Sequence, residues 1–381
     1  MNILVLGAGL QGCAAAYDLL QVPSVTRVTL ADLNPGRLPK FLQKDWGGRL
    51  KGLTLDVKDP AAVRTAMTGQ EAVLCALPYY FNEGMARAAV ECGAHFCDLG
   101  GNTEIVLKQK RLDAKAKAKG VSVIPDCGLA PGMVNILAAE GIRRLDKAAL
   151  VKIYVGGLPQ NPEPPLNYQI VYSLEGALDY YTTPSMVLRG GKKVELDALS
   201  ELEDLKFPSP IGTLEAFHTA GGISTMPLSW EGKIDVMEYK TLRYPGHVAI
   251  MRPIRELGLL DNTPIVVKGQ MVTPRDAFIA AVTPKLLKPE GRDLVALRVE
   301  VSGTKGGKPH KTVWQLIDKY DTATGITAMM RTTGYSLAIT ALMQADGRVT
   351  VKGVHTPDEA IPAATYIAEL AKRGVKIEEV A

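Results

Sequence analysis

Six residues near the start of the chain, Gly7-Ala8-Gly9-Leu10-Gln11-Gly12, have the spacing G-x-G-x-x-G. They lie between the apolar run 2–6 and the helix-like run 12–20. Such a turn suits a dinucleotide. Gly7 permits the tight turn, Gly9 lets the backbone approach a pyrophosphate, and Gly12 lets the helix pack on the strand. From Leu10 and Gln11 onward the helix start offers free N–H groups and a partial positive charge to the phosphates. Asp32 ends the second strand-like run, 20 residues after Gly12. A carboxylate there accepts from the adenosine ribose hydroxyls and repels a 2′-phosphate, so the cofactor expected is NAD. Arg37, five residues on, is the one nearby feature that would serve NADP.

Further candidates stand at the ends of later apolar runs. Asp56 ends the third, where it would meet adenine. Ala76-Leu77-Pro78 follow the fourth and would wall the nicotinamide ribose, with Tyr79 or Tyr80 reaching towards the substrate. Asp98 ends the fifth, in HFCDLGGN, and Asp126 the sixth, in DCGLAPGM. Two strand-terminal acids facing one crevice suit a cationic substrate. One of them could take a proton if loss of solvent raised its pKa towards working pH.

The elements that must position these groups alternate. Runs 2–6, 25–31, 53–56, 72–76, 95–98 and 121–124 read as strands. Runs 12–20, 60–67 and 108–119, with GMARAAVECG between the fourth and fifth strands, read as helices. Short apolar strands between helices imply a doubly wound parallel sheet buried on both faces, a Rossmann-type α/β domain over 1–125. Past residue 150 the texture becomes alternating strands with Gly-rich turns, including a hairpin at KGGK. This predicts a second, α+β domain over 126–334 with a mixed or antiparallel sheet. Helical patterns after 334 are expected to return and complete the first domain with 335–381. The loop DCGLAPGM is then the corner where the chain passes from one domain to the other.

Composition limits the alternatives. The chain has 381 residues, 46% hydrophobic and 22% charged, and a net charge of +4 from 44 basic and 40 acidic side chains. It has no basic run of five or six residues to suggest nucleic acid. No apolar run reaches the roughly 18 residues of a membrane span. The start lacks a basic leader, and the five cysteines form no C-x-x-C pair, so a cytoplasmic protein without a metal site is expected. G-x-S-x-G, H-E-x-x-H and a P-loop lysine are absent.

GAGLQG, LPYYFN, HFCDLGG, DCGLAPGMVN, SLEGALDYY, EAFHTAGG and YKTLRYPGH together resemble the saccharopine dehydrogenase-like family. Within it they are most similar to the bacterial and archaeal L-lysine 6-dehydrogenases. The likeness runs to the KGVHTPDEAIP segment. It implies a Rossmann domain, a catalytic and dimerisation domain, and NAD-linked oxidation of the lysine side-chain amine. In saccharopine-forming relatives the loop typically reads G-L-D-P-G, whereas here Ala130 replaces the acid. Arg243, in the R-Y-P-G element, would hold the substrate α-carboxylate as a bidentate fork. Glu175 would bind the α-ammonium, and Asp126 or His218 would act as base. Asp98, Tyr80 and His247 would line the pocket, while Lys240 is expected at the surface. The resemblance leaves open a related NADPH-dependent imine reductase, and a non-catalytic NAD sensor stands outside it. The second domain's open sheet is expected to pair with a copy of itself in a homo-oligomer.

Overall fold

The computed structural model describes residues 1–380. In the first unit, β1 (Asn2–Leu6), α1 (Leu10–Leu20), β2 (Arg27–Asp32), β3 (Leu50–Thr54), α2 (Pro60–Met67), β4 (Ala72–Cys75), α3 (Asn82–Cys92), β5 (His95–Asp98), α4 (Thr103–Lys110), α5 (Asp113–Ala118) and β6 (Ser122–Ile124) follow in turn. The strands form a parallel sheet in the order β6-β5-β4-β1-β2-β3, extended beyond β6 by the short strand Gly353–Val354. The order reverses between β1 and β4. A doubly wound sheet opens its ligand crevice at that point, outside the carboxyl ends of the strands.

The apolar runs are continuous because both faces of the sheet are covered. Alternate residues feed two cores. Ile3, Val5, Leu74 and Ile124 pack on the α1 side. Leu4, Leu6, Val73, Phe96 and Val123 pack on the α2 and α3 side. Local deviations from the sequence pattern have local causes. The helix expected over 108–119 starts at Thr103, where the Asn102 side chain accepts from the Ile105 N–H, and it breaks between Lys110 and Asp113. The third strand starts at Leu50 and stops at Thr54, leaving Asp56 beyond it.

The second unit is built on a mixed sheet. Its main path runs Glu203–Lys206, Thr213–His218, Val236–Arg243, Lys147–Pro159, Asp293–Lys305, Lys308–Lys319 and Glu378–Glu379. Lys147–Pro159 and Val236–Arg243 pair in parallel, the other neighbours on this path antiparallel. Asp293–Lys305 and Lys308–Lys319 are the two arms of the KGGK hairpin, turning at Gly306-Gly307.

The last helices return to the first unit. Ala328–Ala345 lies along α1, and its Gln344 side chain donates to the Phe96 and Ser122 carbonyls of β5 and β6. The return begins at Ala328 rather than 335, and Glu378–Glu379 goes to the second sheet. The crossing of the two helices is close at Gly334, where a Cβ would sit 2.7 Å from Ala14 Cβ and 2.8 Å from the Gln11 carbonyl oxygen. Gln11 belongs to the glycine turn, so this helix seats the turn against the rest of the protein.

Gly334→Val is therefore expected to destabilise the protein by roughly 1–3 kcal/mol through overpacking, read from urea unfolding. It should also weaken dinucleotide binding, because the displaced backbone is that of the turn. A stability equal to the parent's would contradict the crossing.

Candidate active site

A cavity of about 300 Å³ opens between the two units, at the carboxyl end of the parallel sheet. Gln11, Tyr79, Leu99-Gly100-Gly101 and Gly128-Leu129-Ala130-Pro131 line it from the first unit and the corner loop. Tyr172, Tyr180, Tyr239, Thr241 and Arg243 line it from the second, and Met329 and Thr333 from the returning helix.

The glycine turn fits a dinucleotide. Gly7 has φ +98°, and a Cβ on Gly12 would fall 1.8 Å from the Gly7 carbonyl oxygen, so the turn closes only on glycine there. Nothing lies within 4 Å of where a Cβ on Gly9 would be, leaving that backbone open to a ligand. No side chain caps α1 and its first turn holds no acid, so the N–H groups from Leu10 on are free for an anion. Asp32 stands beside the turn: its Oδ2 accepts from the Ala8 N–H at 2.8 Å and its Oδ1 from the Asn34 N–H at 3.0 Å. Ala76, Leu77 and Pro78 follow β4, and the first two lie against the turn: a Cβ on Gly7 would sit 2.9 Å from the Ala76 carbonyl oxygen and 3.4 Å from Leu77 Cδ2. Asp56 is exposed and its Oδ1 accepts from the Lys58 N–H. Arg37 is exposed as well.

Arg243 ends the strand Val236–Arg243 and is 3% exposed. Its Nη1 donates to the Leu242 carbonyl at 2.8 Å, and its guanidinium lies 4.9 Å from the centre of the Tyr168 ring. The Nε is buried without a partner, and the groups that act on the guanidinium are the hydroxyls of Tyr181, Tyr168 and Tyr172 rather than a carboxylate. The reason is local. Glu215 is opposite it in register, but its carboxylate accepts from the Gly246 and Val248 N–H groups at 3.0 and 2.6 Å, capping the helix His247–Glu256. A buried cation without a counter-ion is costly. It is a ready partner for a carboxylate entering the cavity.

Strand alternation decides which neighbours join Arg243. Tyr239, Thr241 and Arg243 face the cavity, while Glu238 and Lys240 face away. His218 pairs with Lys240 in register and shares that far side. There its Nε2 sits 3.1 Å from Glu201 Oε2 and 4.0 Å from Glu238 Oε2, and burial lowers its pKa. Arg189 and Lys152 already pair with those carboxylates. His218 is not brought to the cavity, so the base role expected of it loses its geometry. Lys240, expected at the surface, is 4% exposed and bonds Glu203 Oε1 at 2.9 Å.

Other expected residues also sit elsewhere. Glu175 is exposed in the first turn of its helix, although its neighbours Ser173 and Gly176 line the cavity. Tyr79 lines the cavity, whereas Tyr80 is 62% exposed outside it. His247 is buried behind Tyr181, whose hydroxyl it meets through Nε2 at 3.0 Å, with Nδ1 3.3 Å from the Leu166 carbonyl. Burial and the nearby Arg243 push its pKa down to about 3, so it is neutral and orients the tyrosine.

The two acids of the corner have different duties. Asp98 is fully buried and spent: Oδ1 accepts from the Gly100 N–H at 2.7 Å and Oδ2 from Gln109 Nε2 at 2.6 Å. It holds the loops and does not line the cavity. Asp126, with φ +63°, has its carboxyl directly behind Gly100, where a Cβ would lie 1.8 Å from Oδ1. Neither oxygen completes a hydrogen bond, although Ser224 Oγ lies close enough to favour the ionised form. Burial, with smaller repulsion from Asp98 and Asp358, raises its pKa to about 7. Asp126 is thus poised near neutrality but is one layer behind the cavity wall.

The residues that sequence reasoning missed are Tyr168, Tyr172, Tyr180, Tyr239, Thr241 and Ser224. The tyrosines carried a signal, in NYQIVYS and LDYY and in the two-residue period Tyr239-Thr241-Arg243. Ser224 carried none.

Comparison with known proteins finds a family model over each unit. The family model "Saccharopine dehydrogenase NADP binding domain" matches residues 3–124, and "Saccharopine dehydrogenase C-terminal domain" matches 128–375. The chain is 23% identical to the NADP(+)-linked, L-glutamate-forming saccharopine dehydrogenase of Schizosaccharomyces pombe, over 86% of this chain and 88% of that one. It is also 23% identical to the mitochondrial alpha-aminoadipic semialdehyde synthase of Mus musculus, over 93% of this chain and 45% of that protein. The apo saccharopine dehydrogenase of Saccharomyces cerevisiae has the same fold, with a TM-score of 0.81 at 20% identity over the whole of both chains.

The raised pKa of Asp126 has a consequence for stability. An unfolded aspartate titrates near pH 3.9, the folded one at about 7. Between these values the folded state keeps a proton the unfolded state has lost, and above pH 7 it carries a buried charge. Stability therefore falls as pH rises from about 4 to 7 and then levels. Asp126→Asn should show a stability gain over the parent that grows across that window to roughly 1–3 kcal/mol at pH 8. Chemical denaturation at pH 5 and pH 8 tests it; a gain independent of pH would contradict the burial.

Proposed function

The chain belongs to the saccharopine dehydrogenase family, and from that premise we propose that it oxidises the side-chain amine of L-lysine with NAD, releasing ammonia and 2-aminoadipate 6-semialdehyde. The semialdehyde then cyclises to the piperideine carboxylate. The observation that carries this reading is the charge of the cavity wall. Among its lining residues Arg243 alone is charged. One buried guanidinium matches one carboxylate. Saccharopine, with several carboxylates on a longer skeleton, would leave the others unpaired in a cavity of about 300 Å³ that would also have to admit the nicotinamide. Ala130 lines this cavity at the position where saccharopine-forming relatives typically carry an acid.

The residues divide the work. Arg243 holds the α-carboxylate and so fixes the distance at which the ε-carbon rests. The rings of Tyr172, Tyr180 and Tyr239 enclose the aliphatic chain and exclude water. The N–H groups after Gly9, together with Asp32 and Ala76-Leu77-Pro78, would hold NAD with its nicotinamide towards the tyrosines. Bound NAD supplies the hydride acceptor. The ε-nitrogen must be neutral before its carbon gives up a hydride, and the cavity wall holds no carboxylate, lysine or histidine to deprotonate it. The rate is therefore expected to rise with pH towards the amine pKa of about 10.4.

The NADP wording of the family model and the exposed Arg37 favour a second reading, an NADPH-linked imine reductase. The Asp32 carboxylate, set beside the turn, favours NAD.

With NAD and L-lysine at mildly alkaline pH, NADH and ammonia should appear in equal amounts. Cofactor binding without turnover would return the protein to the reductase or sensor reading. Arg243→Lys should raise KM for lysine about 10- to 100-fold with a smaller change in kcat. An unchanged KM would remove the carboxylate role.

A further inference from the structure

The cavity that holds Arg243 offers a partner to the carboxylate of lysine but no carboxylate to either of its ammonium groups. A second cavity, of about 480 Å³, adjoins it and shares Tyr79, Gly101, Tyr180 and Gly222 with it. The Tyr180 ring forms the partition. It lies against Gly101 of the first unit and Gly221 of the second, where a Cβ would come within 3.8 Å of its Oη and 2.8 Å of its Cε1. A hydroxyl pair extends the partition: Thr241 lines the first cavity, Thr219 the second, and their Oγ1 atoms are 2.7 Å apart.

The charge reverses across this wall. Among the lining residues of the second cavity the charged ones are Glu104, Asp179 and Glu195, all acids. Asp179 pairs with the buried Arg275. That leaves Glu104, in the first turn of α4, and Glu195, on the strand Lys192–Leu196, both exposed and one from each unit. Ser224 on the same wall is 8% exposed, and its Oγ lacks a hydrogen-bond partner. A buried hydroxyl left unsatisfied is costly, and a ligand N–H would complete it.

Resting on the amine-oxidation reading above, we infer that the second cavity is the vestibule of the active site and that Glu104 and Glu195 select there for substrates with a cationic side-chain amine. An amino acid whose side chain ends in an ammonium matches both sides of the partition. Its carboxylate leads towards Arg243, and its cation is drawn by the two glutamates. A neutral side chain finds no charge partner in the vestibule, and an acidic one is repelled. Exposed carboxylates act mainly through their field, which raises the local concentration of a cation and orients it on approach. Such an attraction is screened by salt. The screening length falls from about 30 Å at 0.01 M to about 3 Å at 1 M.

The test compares kcat/KM for lysine oxidation by the full chain with that of the double variant Glu104→Gln/Glu195→Gln, at low salt and at high salt. Both side chains are exposed, so the variant should fold as the parent does. The vestibule predicts a loss of about 5- to 10-fold in kcat/KM at 0.01 M salt, carried by KM. The loss should shrink below about twofold at 1 M. A loss of the same size at both salts, or none at low salt, overturns the proposal. Calorimetric titration with 1,5-diaminopentane, a dication without a carboxylate, needs no turnover. It should bind the parent at low salt and the double variant about fivefold more weakly. No binding to the parent, or equal affinity for the two, overturns the vestibule. If the parent makes no NADH from lysine yet the diamine binds in this way, the lysine reading fails and the vestibule stands.

Discussion

A guanidinium buried without a counter-ion constrains everything around it. Arg243 cannot lose its charge, so the surrounding structure has to make the position tolerable without a counter-ion. It does so with the Leu242 carbonyl and the face of Tyr168. The nearest acid in register, Glu215, is diverted to cap the next helix. A paired glutamate would have made a more stable protein and a closed site. The same diversion fixes the helix start at His247, and through His247 the position of Tyr181. One unpaired charge thus connects the strand end, the helix cap and the tyrosine wall.

That wall is useful only at a set distance from the glycine turn, and the distance is maintained by packing. The turn sits at the switch point of the parallel sheet, where topology opens the crevice. The second unit is carried there by the corner loop, which Asp98 ties down through Gly100 and through the N–H groups of Asp126 and Cys127. The returning helix closes the arrangement from behind, with Gly334 against α1 and Met329 and Thr333 in the cavity wall. Chain connectivity therefore couples the two units at two places, one on each side of the cavity.

The fold was largely legible in the sequence because its signals are local and repeated. Short apolar runs between helices read as a parallel sheet, and the glycine spacing located its switch point. Arg243 was legible through the R-Y-P-G element, and the corner loop through its glycines. What was not legible depends on which face of a strand a residue takes in the final register. His218 and Glu175 look like site residues by type, but one turns to the far side of its sheet and the other to solvent. Tyr79 and Tyr80 are adjacent in sequence, and the short helical turn at 79–81 sends only the first into the cavity.

The position of Asp126 shows how such a site can combine stability with reactivity. A carboxyl in the cavity itself would have paired with Arg243, neutralising the one charged group of the cavity wall. Set behind Gly100, it is screened from the guanidinium by a layer of backbone and keeps a pKa near neutrality through burial. The left-handed backbone at Asp126, φ +63°, turns that carboxyl behind Gly100, where neither oxygen finds a hydrogen-bond partner and burial rather than pairing sets its protonation.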